Sequence, residues 1–234
     1  MTIDIPQNPE WWPHRYDPIR DDIHFIKASR NDHRAAVFLT DEYLPQTKTP
    51  HAIKRKQAII AANTAPLHFV FHSGYCCSTL LARAFDIPGI AMGLKEPVIL
   101  NDFVGWKARG AREHDPQIVL TDILGLLARP FEKGETIIAK PSSLINVIAP
   151  EIMQRNTAAK ALFLYAPLDA FLGSIARNGM WGRLWVRELM SKQLRDGMIN
   201  LGLADDDYIR LTDLQTAAVV WLAQHSLFMN LQQK

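Results

Sequence analysis

Through the middle of the chain, short apolar runs alternate with helical patterns. Leu67, His68, Phe69, Val70 and Phe71 form a run suited to a strand buried on both faces, and Leu80, Leu81, Ala84 and Phe85 then recur at helical spacing. Residues 89–94 predict a short strand ending at Lys95-Glu96-Pro97, where Pro97 favours the first turn of the next helix. Residues 116–129 place Ile118, Leu120, Ile123, Leu124 and Leu127 on or near one helical face. A strand over 135–140 is stopped by Pro141, a helix follows over 146–153, and a strand over 160–165 is stopped by Pro167. Residues 169–177 predict a helix. From Trp181 onward the pattern is mainly helical, with Leu214, Ala217, Ala218, Trp221, Leu222 and His225 in phase. This alternation predicts an α/β fold, a three-layer sandwich around a mainly parallel sheet with a helical C-terminal part. In such a sheet the site lies at the carboxyl ends of the strands.

The first sixty or so residues are turn-rich and aromatic, with Pro6, Pro9, Trp11, Trp12, Pro13 and Tyr16, then Val37-Phe38-Leu39 and a helix predicted over 53–62. They read as a cap, residues 1–66, packed on a core of residues 67–234 within one structural domain. No internal repeat or low-complexity segment interrupts this organisation.

Composition narrows the possibilities without choosing among them. A chain of 234 residues that is 48% hydrophobic can bury a sizeable core. Its formal charge is only +2, and Lys54-Arg55-Lys56 is too short for a nucleic-acid face and reads as a solvated turn of helix. No basic start precedes an apolar stretch, and no run approaches bilayer length, so a soluble, cytoplasmic protein is expected. The two cysteines, Cys76 and Cys77, are neighbours and cannot staple distant segments.

The strand-loop-helix layout of residues 67–85 is that of a phosphate-binding loop. A helix opening at Ser78 and Thr79 aims unpaired N–H groups and its dipole at the loop, and an anion is the natural occupant. Three strand ends open on one edge of a parallel sheet: residues 72–79, Lys95-Glu96, and Lys140-Pro141-Ser142-Ser143. The expected cradle uses the backbone of Ser73, Gly74, Tyr75, Cys76, Cys77 and Ser78, the hydroxyls of Ser78 and Thr79, and the cations His72 and Lys140. Each residue also has a plainer reading. Small residues at such a turn serve close packing, a strand-end His is often a satisfied side chain, a Lys before Pro is often on the surface, and Glu96 suits a helix start.

These motifs resemble the sulfotransferases that use 3′-phosphoadenosine 5′-phosphosulfate (PAPS), a branch of the P-loop nucleotide-binding folds. Cys77-Ser78-Thr79-Leu80-Leu81 is similar to the segment of that family that holds the 5′-phosphosulfate. Tyr165-Ala166-Pro167-Leu168-Asp169 through Ser174 resembles the part that binds the 3′-phosphate. Lys95-Glu96 looks like the Lys-Glu pair of the carbohydrate sulfotransferases, whose carboxylate takes the proton of the acceptor hydroxyl. The likeness covers residues 67–177 and the helices after them. It departs from the family where a basic residue is usual: His72 or Tyr75 stands before the small residues and Tyr165 on the 3′-phosphate strand, while Ser174 lies one residue further along. The resemblance implies a divergent or shortened member that moves a sulfuryl group from PAPS, without a metal, to a hydroxyl or amine of a small-molecule or carbohydrate acceptor. It gives Glu96 the role of base and Ser174 that of 3′-phosphate partner, and the charge missing at Tyr165 would have to come from Arg177, Arg183 or Arg187.

Two rival readings stand beside it. Cys77, five intervening residues and Arg83 match the pattern of cysteine-dependent phosphatases, in which a thiolate attacks phosphorus and the Arg grips its oxygens. A non-catalytic module would keep the fold and use Trp11, Trp12, Trp181 and Trp185 to bind a partner chain. An ATP-dependent kinase fits poorly, because the first loop lacks a Gly-Lys-Ser/Thr ending.

Overall fold

The computed structural model describes residues 5–44, 49–60, 64–110 and 113–233. The fold is α/β and about half helical. Three strands, β1 (Trp11–Asp17), β2 (Asp22–Lys27) and β3 (His51–Lys54), form an antiparallel sheet. Four more, β4 (Leu67–His72), β5 (Ala91–Lys95), β6 (Thr136–Lys140) and β7 (Ala161–Leu164), form a parallel sheet in the order β5-β6-β4-β7. The helices are α1 (Arg30–Ala35), α2 (Arg55–Ile60), α3 (Ser78–Ala84), α4 (Val98–Ala108), α5 (Pro116–Leu127), α6 (Ala149–Arg155), α7 (Leu168–Arg177), α8 (Gly179–Arg195), α9 (Asp205–Arg210) and α10 (Asp213–Gln232). Among the described residues no helix is long and apolar enough to cross a membrane.

The chain divides into two compact units, the first from the described parts of Met1–Val70 and Thr79–Leu162, the second from Phe71–Ser78 and the described part of Phe163–Lys234. In the first, Leu67 pairs with Ile137, Phe69 with Ala139 and Lys95 with Lys140, so the strand ends predicted to share an edge do so for β4, β5 and β6. Phe69, Val70, Leu94, Ile137 and Ala139 are buried, each large apolar side chain contributing about 1.5–3 kcal/mol of transfer free energy. Gly93 permits the approach of α3 to β5: a Cβ there would lie 2.1 Å from the Ala82 carbonyl oxygen. Asp115 caps α5 by accepting from the Gln117 N–H, and Pro116 takes the first helical position.

The N-terminal region holds a sheet where a turn-rich cap was expected. Pro13 is tolerated because β1 is an edge strand and the register shifts between Pro13 and Arg15. The predicted helix over 53–62 is a strand followed by α2, and its residues 61 and 62 lie outside the described residues. Arg55 is not on a solvated turn. It is 2% exposed, donates from Nε and Nη2 to Asp21, and pairs with Asp122. The predicted helix over 146–153 begins instead as a 3₁₀ turn, Ser143–Ile148, before α6. Pro150 has no N–H to give the Asn146 carbonyl, and the Ala149 N–H takes that oxygen instead. Arg129, 7% exposed, donates to the carbonyls of Leu126, Pro6 and Trp11 and lies over the Phe25 ring, fastening residues 6–11 to the end of α5.

In the second unit, Phe171, Ile175, Val186, Ala166 and Ala217 form the core, with Leu172, Trp185 and Trp221 packed on it. The Phe163 ring stacks on Phe71 and tilts against Phe228. Helices α7 and α8 cross closely at Gly182, where a Cβ would lie 2.5 Å from the Ile175 carbonyl oxygen. A capping box, Thr212 with Gln215, starts α10.

Candidate functional site

The loop after β4 belongs to the second unit, and its backbone is unusual. Gly74, Tyr75 and Cys77 have φ of 85°, 50° and 60°, in the left-handed region. Such a conformation costs about 1–3 kcal/mol at a non-glycine residue and persists only where neighbours over-determine it. They do so here. The Ser73 N–H donates to the Leu164 carbonyl at 3.1 Å, and the Ser73 carbonyl accepts from Nε2 of buried Gln224 at 3.1 Å. Cys76 Sγ lies 3.5 Å from the Leu164 oxygen. The Tyr75 ring meets Trp185 and Phe171 edge-on, with centroids 5.2 and 6.1 Å away. Burial raises the Tyr75 pKa. Alternation of φ sign along a loop is the backbone pattern of anion nests; here the Ser73 and Gly74 N–H groups are spent on Leu164 O and His72 Nδ1.

His72 takes part in the loop's own hydrogen bonding. Its Nδ1 accepts the Gly74 N–H at 3.1 Å and the residue is 3% exposed, so it braces the loop. In this contact Nδ1 is the acceptor, as in a neutral ring. Ser78 opens α3 and is buried; Thr79, in the first unit, is partly exposed. Ser174 and Arg177 come together on α7, where Arg177 Nη2 donates to Ser174 Oγ at 3.1 Å while that hydroxyl donates to Ala170 O. Of the other two arginines considered for the 3′-phosphate, Arg187 is bound to Asp213 and Leu211 O, and Arg183 lies 3.7 Å from Asp213.

Glu96 and Lys140 form an ion pair within the first unit. Glu96 has φ 55°, its N–H donates to the Lys140 carbonyl at 2.7 Å, and its side chain is 20% exposed. Lys140 is fully buried rather than on the surface, with its ammonium 5.2 Å from the Phe38 ring centroid. The pair couples a water-accessible carboxylate to a dry cation. Lys95, the other half of the Lys-Glu motif, is structural. It is 1% exposed and its Nζ donates to the carbonyls of His33, Arg34 and Ala36 at 2.7, 3.1 and 2.6 Å. Burial, then the charge of Arg83, pushes its pKa down to about 8.

The remaining motifs fall out differently. α3 fills the interval between Cys77 and Arg83; six residues along a helix rise about 9 Å, so no loop wraps a phosphate between them. Trp12 is buried, Trp11 packs on His51 and Trp185 on Tyr75, whereas Trp181 is 82% exposed. Among the described residues no group of three or more His, Cys, Asp or Glu side chains is placed to hold a metal ion.

No protein-family model, curated protein or solved structure matches this chain. Its chemistry is therefore read from its own residues.

Proposed function

We propose that the chain is a sulfotransferase-like protein, binding the phosphosulfate of PAPS on the loop formed by Ser73, Gly74, Tyr75, Cys76, Cys77 and Ser78, in which Ser73 and Gly74 shape the cradle but add no N–H donor, theirs being given to Leu164 O and His72 Nδ1. The observation that carries this reading is the braced, left-handed backbone at Gly74, Tyr75 and Cys77 directly before a helix. A hydrogen-bonded and aromatic clamp that holds a strained loop is consistent with a preorganised oxyanion cradle, whose requirement is fixed donors. The hydroxyls of Ser78 and Thr79 add donors. Ser174 and Arg177 would take the 3′-phosphate, the charge being supplied by Arg177 because Arg183 and Arg187 face Asp213.

In this reading the acceptor oxygen or nitrogen attacks sulfur in line with the bond to the phosphate oxygen. A bond from the acceptor to sulfur forms, the sulfur–oxygen bond to phosphate breaks, and adenosine 3′,5′-bisphosphate leaves. The resemblance gives the acceptor proton to Glu96, a general-base contribution of about 10²–10⁴-fold, and within the first unit Lys140 holds that carboxylate in place. A second reading, a module that binds without turnover, draws on the exposed Trp181.

Calorimetric titration with adenosine 3′,5′-bisphosphate, with ATP as control, tests the reading. Selective binding of the bisphosphate, weakened in Thr79→Ala and unchanged in Glu96→Gln, is the expected result. Failure of both nucleotides to bind overturns it and moves the partner-binding module forward. Bisphosphate binding with no sulfuryl transfer from PAPS to any screened acceptor separates the second reading from the first.

A further inference from the structure

A cleft of about 310 Å³ opens in the first unit, lined by Arg34, Ala35, Arg83 and Asp86. Arg34 comes from the last turn of α1 and Arg83 from the last turn of α3. Cations at helix ends are ordinary, since they meet the carbonyls left unpaired there. That account suffices for Lys95, whose three protons go to carbonyls of His33, Arg34 and Ala36 at the end of α1. It does not suffice for Arg83. Its guanidinium makes no hydrogen bond or ion pair with any described residue, yet it lines the cleft.

The charge balance of the cleft is positive. Its one carboxylate, Asp86, is engaged by Arg30 at 2.7 Å, while Arg34 stands 3.8 Å from its other oxygen. Arg83 and Arg34 line the opening, and the buried ammonium of Lys95, its protons given to three carbonyls, adds positive charge that both of them feel. Arg83 and Arg34 are both close enough to Lys95 to oppose its protonation. An anion entering the cleft would relieve this mutual repulsion.

We propose that this cleft is a binding site for the phosphate group of a small phosphorylated metabolite, separate from the loop of residues 73–78. Two guanidinium forks match the paired oxygens of a phosphate monoester, which a single ammonium could not grip with the same geometry. The volume exceeds what an inorganic phosphate fills and leaves room for the organic part. Asp86, whose own charge is met by Arg30, can accept from a hydroxyl carried there.

The test is a titration of the full chain with inorganic phosphate and with ribose 5-phosphate at constant ionic strength, following the arginine side-chain Nε–H resonances by NMR. The expected result is saturable binding that shifts the Arg34 and Arg83 signals, with the affinity at least tenfold weaker in Arg83→Gln and Arg34→Gln. Both side chains are exposed at the cleft, and a wild-type circular dichroism spectrum would show that the variants fold. Arg83→Lys, which keeps the charge and loses the fork, should bind with intermediate strength. Adenosine 3′,5′-bisphosphate affinity measured on the same variants should not change, whether or not the loop binds it. Equal phosphate affinity in wild type and both Gln variants, or no saturable shift at constant ionic strength, overturns the proposal. So does loss of bisphosphate binding in step with phosphate binding, which would make the cleft part of one larger site.

Discussion

Glu96 and Lys140 are joined twice: the Glu96 N–H donates to the Lys140 carbonyl at 2.7 Å, and the Lys140 ammonium holds the Glu96 carboxylate. The backbone bond extends the register of β5 and β6 by one residue past Lys95 and Lys140. The left-handed φ of 55° at Glu96 then turns the chain out of the strand while its side chain stays with Lys140. The link is thus part of the sheet edge as well as a candidate acid–base device.

The two ends of this pair are unequal in exposure, and removing them should have unequal effects. Glu96→Gln leaves a fully buried ammonium without its carboxylate, whereas Lys140→Met leaves a carboxylate that is 20% exposed and can hydrate. Breaking a buried pair from one side costs about 3–5 kcal/mol. Glu96→Gln should therefore approach about 3 kcal/mol of destabilisation, Lys140→Met should lose less, and the double variant should be more stable than Glu96→Gln alone. Urea unfolding of the four proteins measures this; equal losses in the two single variants would show that the ammonium is not dependent on Glu96.

The loop makes a separate prediction, because two of its left-handed residues are not glycine. Cys77, exposed and with φ 60°, has its side chain out of the core, so Cys77→Gly should remove backbone strain without removing packing. Its stability should stay level or rise by about 1 kcal/mol. Gly74→Ala forces a Cβ into φ 85° and should cost about 1–2 kcal/mol. If the strained backbone is what holds an anion, Gly74→Ala should also weaken nucleotide binding more than Cys77→Gly does. Thermal unfolding and calorimetry of the two variants check both halves, and a Cys77→Gly protein clearly less stable than wild type would mean that the thiol side chain contributes packing.

How much of this was legible in the sequence depended on whether burial alone decided the outcome. The strands β4 to β7 are apolar runs closed by proline, glycine or polar residues, so the pattern located each within about two residues. β1 and β2 were invisible for the opposite reason. Their residues His14, Arg15, Asp22 and His24 look like a polar turn until Trp11 to Asp17 pairs with Asp22 to Lys27 and Arg15 finds Asp102 and Asp41. Lysines posed the same difficulty. Lys95 and Lys140 end neighbouring strands in register, yet one binds three carbonyls and the other a carboxylate, a difference made by α1 and the Glu96 turn rather than by residue type. The site loop was legible as strand, small residues and helix, but the role of His72 as acceptor for Gly74 required the fold of the loop itself.

His33 has the largest predicted effect on acid stability. It is 1% exposed, both ring nitrogens lack a hydrogen-bond partner, and Trp12 and Phe131 meet the ring edge-on at 4.7 and 5.4 Å. Burial first, then the charge of Lys95, pushes its pKa down to about 3. Because the folded value lies below the unfolded one, the unfolded chain takes up a proton as pH falls through about 6.5 while the folded chain stays neutral. The neutral ring costs nothing above that pH, and stability drops progressively on going down toward about 3. Between pH 7 and pH 5 the loss from this one side chain should be about 2 kcal/mol. That window lies above the range in which the carboxylates with lowered pKa values, Asp21, Asp32, Asp41 and Glu135, begin to protonate. His14, whose pKa burial also lowers, adds a smaller loss in the same direction. His33→Phe keeps a ring of similar size between Trp12 and Phe131 and removes the titration. It should be more stable than wild type at pH 5 and show a distinctly shallower fall between pH 7 and pH 5, the remainder coming from His14. Urea unfolding at both pH values measures it, and an unchanged slope in His33→Phe would mean that His33 is reached by water or by a partner that its burial does not reveal.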